Sequence, residues 1–250
     1  MAYVLGYFYA DGSLENASYI RGKYVRVTST DKDRIEVIRK LLQSKHTIVE
    51  EKGIGNRKTR FLLRIGNHVL YNRLTQLGMT PNKSLTMQFP QVPLTYLSPF
   101  MRGYFDGDGC VFLEEKKGKT QAKIIKRLSI IFTSGSKEFL IQLQHALARH
   151  ADVSVGHLYQ GTRAYQLHYF TKDSVRLFSF MYKGVKDKSL YMRRKYDIFK
   201  GYFKKRPERA DVEVRRVLRL HARPRSQVVR RFSAKEVCAG AIPAVASRIK

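Results

Sequence analysis

The sequence predicts an α+β fold made of two pseudo-symmetric αββαββα repeats, and three observations predict it. An apolar, aromatic-rich helical pattern ending in Asp-Gly occurs twice, at Val4 to Gly12 and at Met101 to Gly109, with its aspartates 97 residues apart. The segments that follow each copy run in the same order. A proline-punctuated connector, Phe89-Pro90-Gln91-Val92-Pro93, separates the copies and cannot be a helix interior.

Each repeat opens on its motif helix. Gly6 and Ala10 in one, and Gly103 and Gly107 in the other, remove side-chain bulk at i and i+4. Two such faces can pack with their backbones close together, which predicts that the motif helices form a central two-helix interface. Gly12 and Gly109 are expected as left-handed caps, which leaves Asp11 and Asp108 side by side in the last turns. Carboxylates at the negative ends of helix dipoles, facing each other, are costly unless a cation lies between them, so the pattern points to a shared divalent-metal site.

A hairpin comes next, then a helix. Val25 to Ser29 leads into a helical run from Asp33 to Leu42, and Ile130 to Ser134 leads into one from Lys137 to Leu147. Arg57 to Ile65 and Thr162 to Phe170 read as the matching strands of a second hairpin, and Asn82-Lys83-Ser84-Leu85 answers Asp187-Lys188-Ser189-Leu190. The offset grows from 97 to 105 across the repeat, because the charged stretch Glu114 to Arg127 is longer than Ser13 to Arg26. The predicted organisation is an N-terminal repeat over 1–87, a linker over 88–97, a C-terminal repeat over 98–205 and a basic tail over 206–250.

The formal net charge of the 250 residues is +28, and residues 1–205 alone hold 36 Lys and Arg against 16 Asp and Glu. A basic, folded, aromatic-rich chain binds nucleic acid more often than anything else, since neutralised phosphates release counterions. Cys110 and Cys238 show no metal-ligand spacing, and the seven histidines form no paired ligand motif. Phosphate-loop and nucleophile-elbow patterns are absent, which leaves cofactor-driven chemistry without support. No apolar run approaches the roughly 18 residues of a membrane span, and no signal-type leader opens the chain. The expectation is an intracellular protein, cytoplasmic or organellar, not secreted and without a membrane partner.

The two motifs resemble those of the LAGLIDADG homing endonucleases, in the monomeric form that carries two copies. The resemblance implies a site-specific double-strand DNA endonuclease with saddle-shaped antiparallel sheets and a long asymmetric target. It makes Asp11 and Asp108 the ligands of a divalent metal, with Mg²⁺ expected. Lys83 and Lys188 match basic residues near the scissile phosphates and are catalytic candidates, where a cation would offset charge on the phosphorane. The same scaffold also serves as an intron-splicing RNA maturase or as a non-cleaving DNA-binding protein, so intron RNA is the alternative partner. DNA contacts are expected from alternate strand residues, which reach base edges in the major groove. The candidates are Arg21, Lys23, Arg26, Arg57, Lys58, Arg60 and Arg64 in the first repeat, and Lys117, Lys119, Lys123, Lys126, Arg163, Gln166 and His168 in the second.

Three further carboxylates, Glu15, Glu114 and Glu115, read as surface charges. Asp106 has Tyr9 as its counterpart and so reads as a solvated carboxylate or one lying behind the metal. After Lys205 the composition shifts to ten Arg, two Lys and one aromatic residue in 45, which predicts first a disordered basic arm whose removal leaves folding intact, with a small helical DNA-binding extension and residual coding sequence without selected structure as the alternatives.

Overall fold

The computed structural model of the chain describes residues 1–17, 22–81, 85–117, 123–212, 214, 215, 217 and 218, without the side chains of 117 and 123–126. Two compact units are present, one from Met1 to Gly107 and one that begins at Asp108. The first contains α1 (Ala2–Asp11), β1 (Gly12–Ala17), β2 (Gly22–Ser29), α2 (Lys32–Leu41), β3 (Ile48–Glu51), β4 (Arg60–Gly66), α3 (His68–Gln76) and all but the last residue of α4 (Leu94–Asp108). The second contains β5 (Gly109–Lys117), β6 (Lys123–Ser134), α5 (Lys137–His150), β7 (His157–Gln160), β8 (Tyr165–Tyr169), α6 (Thr171–Tyr182) and α7 (Arg193–Lys205). Each unit holds one four-stranded antiparallel sheet, in the orders β1-β2-β4-β3 and β5-β6-β8-β7. The α+β repeat is thus present in both halves with one topology.

Alternation along the strands sets the core. In the first sheet Val25, Val27, Leu63 and Ile65 share one buried face, and Ile35 and Ile38 of α2 and Leu70 and Leu74 of α3 are buried with them. In the second, Val111, Ile130, Phe132, Leu167 and Tyr169 do the same. Helix starts follow local chemistry: Asn67 Oδ1 accepts from the Leu70 amide at 2.8 Å, and Ser136 Oγ accepts from the Phe139 amide at 3.2 Å. The longer hairpin expected in the second half is present, and its register shifts at Glu114/Glu115, a bulge.

The glycine caps are corrected. Gly12 sits at φ −84° and ψ 155°, and neither it nor Gly109 is among the glycines with positive φ. Both are the first residues of strands, so the chain passes from helix to strand with no left-handed step. Position 12 needs glycine for space, since a Cβ there would lie 2.6 Å from the Phe8 carbonyl oxygen.

The packed unit and the sequence repeat divide at different places, because α4 packs on α1 although it opens the second repeat. At the other end, order continues past Lys205. Pro207–Arg209 forms a 3₁₀ turn, and the helical residues 212, 214, 215, 217 and 218 follow. Ala210, Val214 and Val217 are buried, and Arg215 Nε donates to the Ala210 carbonyl at 2.8 Å. An arm without structure from Arg206 onward is therefore corrected at its start; residues 219–250 lie outside the described residues. Truncation after Lys205 should lower stability by roughly 3 kcal/mol or more, since two valines leave the core. Thermal unfolding of the truncated chain checks this, and an unchanged midpoint would refute it.

Candidate active site and nucleic-acid interface

The small residues of the motif helices do what their spacing predicts. A Cβ on Gly6 would lie 1.9 Å from the Phe100 carbonyl oxygen, and one on Gly103 would lie 1.9 Å from the Tyr3 carbonyl oxygen. The contact is reciprocal, as equivalent positions of a repeat require. One turn on, a Cβ at Gly107 would meet Ala10 at 2.3 Å and Asp11 Oδ2 at 3.2 Å. Asp11 closes α1 and Asp108 closes α4, each half-buried and each directly before the first residue of a sheet.

Tyr7 lies beside Asp11, and nothing in the sequence marks it. Its hydroxyl donates to Ser29 Oγ at 3.2 Å. Burial, and next the Asp11 carboxylate beside it, push the phenol far above its ordinary range, so it stays protonated. Of the two readings of Asp106, solvated or lying behind the metal, the structure overturns the solvated one. Asp106 is buried and accepts from the Tyr3 hydroxyl at 2.7 Å, while Arg34 Nη1 donates to that hydroxyl at 3.4 Å and the Arg102 guanidinium lies 5.9 Å from the Tyr3 ring centre. This is a buried polar cluster between helices, and its carboxylate is committed to structure.

A buried lysine was also missed. Lys195 of α7 is 4% exposed and donates Nζ to the carbonyl of Gly109, the residue that follows Asp108. It anchors the start of β5. In the sequence it is one of several lysines on an amphipathic helix, and nothing marks it. Of the two lysines that the sequence singles out, Lys188 starts the exposed 3₁₀ turn Lys188–Leu190, where Asp187 Oδ1 accepts from the Ser189 amide at 2.8 Å. Lys83 lies outside the described residues.

The strand candidates divide by face. Arg26, Arg60 and Arg64 stand on the open face of the first sheet, turned away from α2 and α3. Glu15 shares that face and is no simple surface charge: Arg64 grips it through Nε at 3.1 Å and Nη2 at 2.8 Å, and Arg26 lies at 3.6 Å. The Arg64 bond holds the Glu15 carboxyl below its usual range, so the grip persists above the ordinary carboxylate pKa and is released only as pH falls through the lowered one. Arg64 also stacks 3.5 Å from the Tyr24 ring centre. Lys23 has the opposite parity and is corrected: it donates to Asn72 of α3 at 3.0 Å and lies over Tyr71.

Arg57 and Lys58 are exposed in the β3–β4 loop, and Arg163 is exposed in the β7–β8 turn. Gln166 and His168 stand on the open face of the second sheet, bonded to each other at 3.0 Å. Lys117, Lys123 and Lys126 fall within β5 and β6, with side chains outside the described residues, as are Arg21 and Lys119 entirely. Glu114 pairs with Arg127 at 2.8 Å and Glu115 with Lys205 at 3.0 Å.

A family model described as a LAGLIDADG-like domain matches residues 1–78 and 95–180, both repeats of this architecture. The chain belongs to the LAGLIDADG family. Solved structures of the same fold include the I-LtrWI LAGLIDADG homing endonuclease bound to target DNA, at 13% identity and TM-score 0.56 over 88% of this chain and 95% of that one. Another is the homing endonuclease I-WcaI bound to its DNA recognition sequence, at 13% identity and TM-score 0.58 over 78% and 84%. A third is I-SmaMI bound to uncleaved DNA in the presence of calcium ions, at 12% identity and TM-score 0.54 over 88% and 96%. No curated protein matches the chain. Within this LAGLIDADG chain no described helix is long and apolar enough to cross a membrane.

Proposed function

We propose that the protein is a monomeric, site-specific DNA endonuclease that cuts both strands of a long asymmetric duplex with divalent metal, Mg²⁺ being the expected ion. The observation that carries this is the repeated ending of the motif helices. In each, a half-buried aspartate is followed at once by a sheet whose open face bears polar and basic side chains.

The donor set fits a hard cation. No group of three or more His, Cys, Asp or Glu able to enclose a metal occurs among the described residues. Mg²⁺ is commonly held by one or two carboxylates, with substrate phosphates and water completing its shell, and Asp11 and Asp108 offer carboxylate oxygens of that kind. When bound, such an ion lowers the pKa of a water and offsets charge on the leaving 3′ oxygen. The chain's own groups do the rest. Lys195 fixes the backbone that follows Asp108. Lys83 and Lys188 would place positive charge near the phosphate under attack. The open faces, with Arg57, Lys58 and Arg163 in the flanking loops, hold the duplex.

Incubating the purified protein with a duplex library in Mg²⁺, and in parallel in Ca²⁺, tests the reading. Double-strand cuts within one preferred sequence are expected in Mg²⁺, with retention of uncut DNA in Ca²⁺. A folded protein that cuts no duplex would refute the enzymatic reading, and tighter retention of structured RNA than of duplex DNA at matched salt would favour a maturase.

A further inference from the structure

Both open faces carry one three-part device: an aromatic ring, a guanidinium lying on it, and a carboxylate that the guanidinium holds. In the first sheet the ring is Tyr24, which pairs with Glu15 on one side and with Gly66 on the other. Two glycines give it room, since a Cβ on Gly22 would stand 2.5 Å from its Cε2 and one on Gly66 would stand 3.1 Å from its Cε1. Arg64 settles 3.5 Å from the ring centre and clamps Glu15 through Nε and Nη2. In the second sheet Arg127 lies 4.5 Å from the Phe170 ring centre and pairs with Glu114, its partner in the ladder, at 2.8 Å. Gly12 and Gly109 both open their strands, so Glu15 answers Phe112 and the repeat by itself does not place Glu114. The more exposed Arg60–Glu51 pair, at 3.4 Å, has no such ring among the described residues.

An ion pair on a part-exposed surface adds little to stability, whereas a stacked guanidinium fixes where its carboxylate stands. An ionised carboxylate has about four acceptor sites, and Arg64 fills two on Glu15, whose side chain is 31% exposed. Room for a further donor remains. A carboxylate on a face that receives a polyanion opposes every sequence alike unless a donor on the ligand reaches it. Base edges in the major groove supply such donors: carboxylates accept from cytosine N4, while adenine sets its N7 acceptor beside its N6 donor.

Resting on the endonuclease reading, we infer that Glu15 and Glu114 read the target, each accepting from the N4 amino group of a cytosine, and that Arg64 and Arg127 are the positioning residues that hold them. The whole protein is used to select from a fully randomised duplex library in Ca²⁺, followed by sequencing, beside retention of a non-target duplex at several salt concentrations. Wild type should return a preferred sequence in which cytosine is fixed at two or more positions. Glu15→Gln should relax one of them by about tenfold and Glu114→Gln another, and both variants should hold the non-target duplex more tightly, because a negative charge has left the face. Arg64→Lys should relax the same position as Glu15→Gln, and Arg127→Lys the same as Glu114→Gln, since an ammonium cannot clamp through two donors in a plane. Glu51→Gln should relax no cytosine. If either carboxylate variant keeps every base preference of the wild type, the inference is overturned while sequence-specific binding stands. It is overturned equally if Arg64→Lys relaxes a guanine that Glu15→Gln leaves fixed, because the guanidinium would then be the reader. A folded wild type that enriches no sequence removes the DNA-reading function and this inference with it.

Discussion

Gly103→Ala should destabilise the first unit by at least about 3 kcal/mol, although alanine favours a helix interior by about 1 kcal/mol over glycine. The added methyl would lie 1.9 Å from the Tyr3 carbonyl oxygen, a backbone atom that no rotamer change can move aside. To admit it, α1 and α4 must separate by more than an ångström along a seam where Tyr7, Phe8, Phe100, Tyr104 and Phe105 are fully buried. Close packing tolerates no such gap, so lost contacts and cavities add to the direct clash. Gly6→Ala is the mirror experiment and should cost a similar amount, because its methyl would lie 1.9 Å from the Phe100 carbonyl oxygen. Chemical denaturation of the two variants beside Gly201→Ala checks the argument. A Cβ at Gly201 meets nothing within 4 Å, so that change should be neutral or stabilising. Near-wild-type stability in either motif variant would show that the helices do not meet backbone to backbone.

Asp11→Asn and Asp108→Asn should each lower double-strand cleavage by roughly 10²–10³ or more, while binding is kept or tightens slightly. Stability should hold or rise by some tenths of a kcal/mol, since each substitution removes a negative charge from the negative end of a helix dipole. That combination separates a chemical role from a structural one. Asp106→Ala supplies the contrast two residues away: it leaves the buried Tyr3 hydroxyl without its acceptor and should cost about 1–3 kcal/mol of stability. Unfolding curves, Ca²⁺-dependent DNA retention and cleavage rates, measured on the same preparations, decide the matter. Wild-type cutting by either asparagine variant would dismiss the metal-ligand assignment, and Lys83→Ala and Lys188→Ala are expected to slow cleavage without abolishing it.

The repeat was legible because it is written twice. Small residues at fixed spacing, a constant order of apolar runs and the prolines of the connector predict the two hairpins of each repeat and the seam of the motif helices, while the order of strands within each sheet comes from the structure. The errors fall where a side chain's role depends on its neighbours in space. Gly12 and Gly109 read as left-handed caps because Asp-Gly usually ends a helix that way; here a strand begins at once, and the glycine at 12 is needed to clear Phe8. The repeat set Asp106 apart from Asp108, because Tyr9 stands at its counterpart, but only the Tyr3 hydroxyl and the arginines beside it show that the carboxylate is buried and bonded. Lys23 lay in the right strand with the wrong parity. Lys195 is 86 residues from the carbonyl it holds, a distance over which no local pattern operates.

Tyr3 and Phe100 occupy equivalent places in the two motifs, and so do Tyr9 and Asp106, yet one cross-pair is a phenol on a carboxylate and the other is an edge contact between rings 5.6 Å apart. The helices are therefore complementary to each other and no longer to themselves. A dimer made from two second repeats would set each Asp106 against a phenyl ring that has no proton to give, and one made from two first repeats would oppose tyrosine to tyrosine. The seam works as a lock with distinct halves: doubling either repeat would lose the Tyr3–Asp106 bond, and a graft that keeps it must carry both of its halves.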